Sequence, residues 1–267
     1  YIMGNNSVRA WDGATDPVRT DFSGYFRRQW WAGAAADDAL FGIGPGGVVS
    51  EIKLTPSGMN MSHLTPGGET QFNFRINGST TCGDGILVYG APYNPEDTMA
   101  LRYFDGTIPV PFPVKPEGMD QRGDISALVA TGLDDITIAW EDWESFGNGV
   151  HHWNGTSWER LGTGAPARAT ELAWSEGGAL FACQYGLLTK WNGQAWNPLV
   201  NRIQDEEPPD FTCMWRVSDG EIYLGTSEGK IYRWDGTNLN EEQTPEGSQI
   251  NDIRPNASGT LYAVGND

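Results

Sequence analysis

Residues 222–239 read IYLGTSEGKIYRWDGTNL. Two short runs rich in β-branched and aromatic residues, Ile222–Leu224 and Ile231–Trp234, are separated by a Gly-, Ser- and Thr-containing stretch. Such runs bounded by Gly, Asn and Asp are strand and hairpin punctuation. Trp234-Asp235-Gly236 closes the second run, where Asp-Gly suits a turn whose central residues need positive φ. The stretch therefore reads as a hairpin with a further turn at its end.

The same pattern recurs along the chain. Residues 180–196 read LFACQYGLLTKWNGQAW, residues 1–13 read YIMGNNSVRAWDG, and residues 136–158, ITIAWEDWESFGNGVHHWNGTSW, are the same pattern with a longer middle. The Gly, or its equivalent, that ends the first run falls at 4, 44, 90, 140, 184, 225 and 265. These steps match the period of about 40–50 residues of a four-stranded propeller blade. A helical solenoid of similar period needs long 3.6-periodic runs, and the chain has none. Each unit adds an inner strand before the hairpin, such as DISALVA from Asp124 or DFTCMWRV from Asp210, and a short outer strand after it, such as SWERL from Ser157.

The expected fold is all-β: one β-propeller domain over residues 1–267, six blades of four antiparallel strands, with inner strands near 26, 72, 125, 172, 211 and 250. Residues 261–267, LYAVGND, repeat the element YIMGNN that begins the chain. Pairing of the N- and C-terminal strands is then expected to complete one blade and leave no open sheet edge. One copy of that element is surplus, which makes seven blades the alternative.

Composition narrows the function classes. With 17 Lys+Arg against 35 Asp+Glu the formal net charge is -18, which repels nucleic acid and anionic lipid. No stretch of the 267 residues approaches the roughly 20 consecutive apolar residues of a spanning helix. The 35 glycines and 12 tryptophans fit many tight turns between aromatic-rich strands. Cys82, Cys183 and Cys213 show neither C-x-x-C nor Cys/His metal spacing and read as small core or turn residues. Tyr1 is preceded by no signal-peptide pattern, so the chain is expected to be processed or cut from something longer.

These repeats resemble bacterial and phage β-propellers of the form "lyavG..G.i..WDG..W", similar in style to kelch and tectonin-like propellers. The resemblance rests on Trp11-Asp12-Gly13, Trp153-Asn154-Gly155, Trp191-Asn192-Gly193 and Trp234-Asp235-Gly236, with the weaker Phe104-Asp105-Gly106. The second unit, from Phe41 onward, offers only Thr55-Pro56-Ser57-Gly58, and the sialidase Asp-box is half matched. The resemblance implies a propeller. It leaves function open, because such propellers bind sugars, peptides or proteins and some are enzymes.

A residue present in every blade serves the fold, whereas one confined to a single blade is a candidate for function. By that rule Asp12, Asp105, Asn154, Asn192 and Asp235 are turn residues, and Trp11, Trp153, Trp191 and Trp234 wedge neighbouring blades apart. His151 and His152 are adjacent on one strand and face opposite sides, so they do not share a metal; no G-x-S-x-G elbow is present.

Loops are unequal. The long ones are APYNPEDTM from Ala91, KPEGMDQRG from Lys115, EDWESFGNG from Glu141 and NRIQDEEPPD from Asn201. They give blades three to five an acidic, aromatic face on which Tyr93, Trp140, Glu141, Asp142, Trp143, Glu144 and Phe146 are the expected ligand-binding residues. The expected function is a non-enzymatic, lectin-like recognition module for a glycan or protein, extracellular or on a particle surface. Asp124, Glu171 and Asp210 precede or open three successive inner strands, and carboxylates converging there would need a cation such as calcium. A similar channel calcium in lactonase-like propellers makes a calcium-dependent hydrolase the rival reading. The third is a structural interaction domain of a larger assembly such as a phage tail.

Overall fold

The computed structural model describes residues 2–4, 7–10, 18–21, 32–36, 39–43, 49–55, 58–63, 74–83, 85–92, 100–104, 110–112, 123–141, 148–166, 168–242, 249–255 and 261–265, those before Phe74 by backbone alone. Strands β1 (Ile2–Gly4), β2 (Ser7–Ala10) and β3 (Val18–Asp21) form a three-stranded sheet. β4 (Ala32–Ala36), β5 (Ala39–Ile43), β6 (Val49–Thr55) and β7 (Gly58–His63) form a four-stranded one. The next is built from β8 (Phe74–Cys82), β9 (Gly85–Pro92), β10 (Leu101–Phe104) and β11 (Val110–Pro111), and its successor from β12 (Asp124–Gly132), β13 (Asp135–Glu141), β14 (Gly149–Trp153) and β15 (Trp158–Arg160). β16 (Glu171–Trp174), β17 (Leu180–Gln184), β18 (Leu187–Trp191) and β19 (Trp196–Asn201) follow. Then come β20 (Phe211–Ser218), β21 (Glu221–Thr226), β22 (Ile231–Trp234) and β23 (Leu239–Glu242), and finally the pair β24 (Ile250–Pro255) and β25 (Leu261–Gly265).

Every sheet runs in chain order from its first strand to its last, so each is an up-and-down meander. This is the all-β propeller architecture that the repeat predicts. The count of six is not reached among the described residues: four complete blades carry described side chains, a fifth four-stranded sheet is described by backbone, and the terminal sheets have three and two strands.

The chain divides into two compact units, Tyr1–Gly147 with His152–Glu159, and Asn148–His151 with Arg160–Asp267. In the first, β8 lies against β4 on one side and β12 on the other; in the second, β20 lies between β16 and β24. Sheets therefore meet through their first strands, as blades do at a propeller axis. The apolar core sits between sheets. Leu87, Leu101, Ile125, Ile136, Ile138, Trp140 and Trp153 form one cluster in the first unit, and Phe181, Leu188, Phe211, Ile222, Leu224 and Trp234 form one in the second. Cys82, Cys183 and Cys213 are free and buried, as small core residues.

The W-[DN]-G turn differs from its expected form. Four-residue loops, Asn154–Ser157, Asn192–Ala195 and Asp235–Asn238, join the third strand to the fourth, closed by the first residue's N–H donating to the last carbonyl at 3.2, 3.3 and 3.1 Å. The glycine takes positive φ, at 86° for Gly155, 95° for Gly193 and 93° for Gly236. The Asn or Asp instead acts as an acceptor: Asn192 Oδ1 takes the N–H groups of Gln194 and Ala195, both at 3.0 Å, and Asn154 and Asp235 repeat the arrangement. Those two N–H donors hold the Asp235 carboxyl below its usual range. The structural role read from recurrence stands, on a different mechanism. Asn192→Ala, which strands both donors without a cavity, is expected to lower stability by about 1 kcal/mol, measured by urea denaturation. Asp12 and Asp105 lie outside the described residues.

Of the tryptophans before these turns, Trp153 packs between neighbouring sheets, and Trp11 lies outside the described residues. Trp153 meets Phe112 of the preceding blade edge-on at 5.6 Å, and its indole N–H donates to the Leu133 carbonyl at 3.1 Å. His151 is buried, while its strand neighbour His152 is half-buried beside Thr137 at 3.0 Å, so the two do face opposite sides.

Candidate functional site

Two regions hold the residues singled out from the sequence: the beginnings of the inner strands, and the loops from second to third strand and from outer to next inner strand. At the first, four inner strands carry a bulge in the same place. The ladder skips a residue at Asn77 in β8, Ser126 in β12, Thr212 in β20 and Asn251 in β24. A bulge re-aims its extra side chain along the sheet. Asn77 Nδ2 donates to the Ile125 carbonyl of the next inner strand at 2.9 Å, and Thr212 Oγ1 donates to the Ile250 carbonyl. Thr170, just before β16, donates to the Phe211 carbonyl at 2.8 Å. At β8, β16 and β20 one polar residue thus ties the inner strand to its successor. The Ser126 hydroxyl is buried with no partner among the described residues.

This register places the three residues of the expected metal trio at unlike positions on their strands. Asp124 directly precedes the bulged Ile125 step, and Asp210 directly precedes the corresponding Phe211 step. Glu171 lies beyond Thr170 and pairs with Cys183, level with Ala127 and Cys213 on their own strands. The three carboxylates are therefore not at equivalent places: Glu171 sits three residues further along its blade. Asp124 also belongs to the first unit, Glu171 and Asp210 to the second.

An arginine meets both Asp124 and Glu171, and each also has a second carboxylate in its surroundings, Glu141 and Asp252 respectively. Arg75 Nη2 lies 2.8 Å from Asp124 Oδ2, and Asn77 donates to the other oxygen. Burial still raises the Asp124 carboxyl above its usual range, against the pull of Arg75 and Asn77. Glu171 Oε2 accepts the Met214 N–H at 2.6 Å and its other oxygen lies 3.5 Å from Arg254, which also reaches Asp252 at 3.3 Å. Arg254 stands over the Trp215 ring, 5.2 Å from its centroid. Burial pushes the Glu171 carboxyl up to about 7, against Arg254 and the Met214 N–H. Asp252 is raised likewise, by burial first. Asp210 contributes its backbone carbonyl, which accepts the Ser227 N–H at 3.0 Å. Calcium takes six to eight oxygen ligands, and among the described residues no three His, Cys, Asp or Glu side chains gather to hold a metal.

At the loops, Tyr93, Asp142, Trp143, Glu144 and Phe146 lie outside the described residues. Trp140 was expected to be exposed beside the loop from Glu141, and the structure corrects this: it ends the inward row Ile136, Ile138, Trp140 of β13, pairs with Ile125 and is 1% exposed. Its indole lies over Gly123, where a Cβ would come within 2.1 Å of the ring. Glu141 follows at the strand end, half-buried opposite Asp124.

The acidic loop from Asn201 is described in full. Gly186 donates to the Pro209 carbonyl and Arg202 to the Gly186 carbonyl, both at 2.8 Å, and the Ser227–Asp210 bond ties in the β21–β22 turn. A Cβ at Gly186, where φ is 63°, would stand 3.0 Å from the Ile203 nitrogen, so the β17–β18 turn is seated against the loop. Tyr185 and Ile203 flank that contact, 51% and 39% exposed. Asp205, Glu206, Glu207 and Glu228 are exposed around them. Arg202 pairs with Asp205 at 2.6 Å and Lys230 with Glu241 at 3.1 Å. Reading the sequence missed Tyr185 and Ile203. The available signal was an aromatic residue in a tight turn whose counterparts, GNNS and TSEG, carry none.

No known protein family and no curated protein matches the sequence. Solved structures do match. YCF48 from Cyanidioschyzon merolae shares 13% identity at a TM-score of 0.67 over 96% of this chain and 84% of that one. YCF48 bound to D1 peptide shares 12% at 0.63 over 94% and 79%, and a luciferin-regenerating enzyme 12% at 0.59 over 89% and 84%. At this identity the likeness establishes the fold. With the sheet order it defines the class: the chain is a β-propeller.

Proposed function

We propose that the chain is a recognition module that binds a segment of a protein partner through the loop face of its second unit. The observation that carries this is the exposed pair Tyr185 and Ile203, held on a turn and a loop that two backbone hydrogen bonds fix together. Large apolar side chains on a rigid turn cost little ordering entropy on binding, and aromatic residues dominate interface energetics. The propeller bound to D1 peptide supports a peptide-sized occupant; the enzyme with the same fold is why the fold alone does not decide. The glycan expectation rests on Tyr93, Trp143 and Phe146, outside the described residues.

The W-[DN]-G repeats support a place among the bacterial and phage propellers they resemble. β25 and β1 are two copies of one strand, so the terminal sheets complete a sixth blade if they join and form a seventh if they do not.

Displayed random dodecapeptides selected against the chain test the function. Enriched peptides are expected to bind Tyr185→Ser/Ile203→Ser at least about tenfold more weakly, as loss of a central anchor requires. Unchanged affinity in that variant would remove the assignment.

A further inference from the structure

Resting on that recognition reading, we infer that the partner segment is cationic, carrying Lys or Arg beside an apolar residue, and that it seats on Tyr185 and Ile203 with its charges toward Glu206, Glu207 and Glu228. The apolar pair marks the spot. Charge identifies the occupant. Asp205, Glu206 and Glu207 follow Ile203 within four residues, and the turn bearing Glu228 is tied to the same loop through Ser227 and Asp210. The cations of this face are already committed, Arg202 to Asp205 and Lys230 to Glu241, and Arg202 is drawn back along its own loop by that contact. An acidic segment would meet carboxylates at every approach and lose its own hydration without return. A neutral apolar segment would cover Tyr185 and Ile203 and desolvate the surrounding carboxylates unpaired. A guanidinium or ammonium group relieves both costs, and its aliphatic stem lies along apolar surface while the charged head faces the rim. Arg adds stacking on the Tyr185 ring.

The net charge of -18 draws any cation toward the chain, so the test separates local from general attraction. Labelled dodecapeptides of Arg and Leu, of Gln and Leu, and of Glu and Leu are titrated by fluorescence anisotropy into the wild-type chain, Glu206→Lys/Glu207→Lys, Tyr185→Ser/Ile203→Ser, and the control Glu159→Lys/Glu176→Lys. That control makes the same change of net charge at exposed sites outside this loop. The Arg/Leu peptide is expected to bind best, to weaken with salt, and to lose about tenfold or more in Glu206→Lys/Glu207→Lys while the control changes by about twofold or less. Equal losses in both lysine variants would overturn the inference, because only net charge would then matter. If the Gln/Leu peptide binds as well and only the Tyr185/Ile203 variant weakens it, the cationic partner falls and the recognition site stands. If no variant changes any peptide's affinity, both fall.

Discussion

Gly90→Ala is expected to be the most damaging single methyl among the described glycines, costing about 3 kcal/mol or more and roughly 6–12 °C in Tm. A Cβ at this position of β9 would sit 1.7 Å from the Arg75 carbonyl oxygen, 2.8 Å from its carbon and 3.0 Å from the Asn77 nitrogen. All three are backbone atoms, so no side chain can swing aside. They also flank the bulge at Asn77 that ties β8 to Asp124 and Ile125 of β12. Relief of the clash must therefore open the ladder or pull the bulge out of register, and either breaks the join between two blades. Gly83→Ala is the control: its φ of 56° adds strain, yet nothing lies within 4 Å of the new methyl. It should cost about 1–2 kcal/mol. Urea denaturation of both variants checks the ranking, and equal losses would show that the β8–β9 approach is not as close as described.

The second large effect is a pH dependence centred on Glu171. Its carboxyl titrates near 7 in the folded chain against an ordinary value of 4.5, because burial outweighs Arg254 and the Met214 N–H. Between those values the folded chain holds a proton that the unfolded chain has released. Stability from this group is therefore complete below pH 4.5 and is lost as pH rises to about 7, a change of up to about 3 kcal/mol. Asp124 and Asp252, also raised by burial, act in the same direction. Glu171→Gln keeps the size and an acceptor for the Met214 N–H while removing the titration. The difference between wild-type and Glu171→Gln unfolding free energies should shift by that amount from pH 4.5 to 7 and be flat above 8. Parallel curves for the two proteins would contradict the assignment.

Much of the fold was legible because the sequence states it several times. Trp153-Asn154-Gly155, Trp191-Asn192-Gly193 and Trp234-Asp235-Gly236 mark the same turn in three blades, and the short runs around them have room for nothing but strands. The turn's mechanism was less legible. Dipeptides such as Asn-Gly suggest a two-residue turn, whereas the loop has four residues and the Asn oxygen caps two N–H groups.

The site was harder to read, for two reasons. Trp140 ends the run that the loop from Glu141 follows, and standing next to an acidic loop does not make a strand residue exposed. The period-two row Ile136, Ile138, Trp140 already pointed inward. Inner-strand bulges shift pairing by one residue and leave no mark in composition, so Glu171 could not be placed relative to Asp124 and Asp210. Nor does local sequence reveal that an arginine from two blades away, Arg254, supplies Glu171's counter-charge. Tyr185 belongs to a short turn, and loop length singles out only the long ones.

The account divides the chain into recurring residues that hold the fold and irregular ones that meet a partner. The most direct test is the affinity of the Arg/Leu dodecapeptide, measured well below Tm, for Tyr185→Ser beside Asn192→Ala. Tyr185→Ser should weaken binding about tenfold with Tm unchanged, and Asn192→Ala should lower Tm with affinity unchanged. Affinity lost in Asn192→Ala and retained in Tyr185→Ser would contradict the division and the binding face with it.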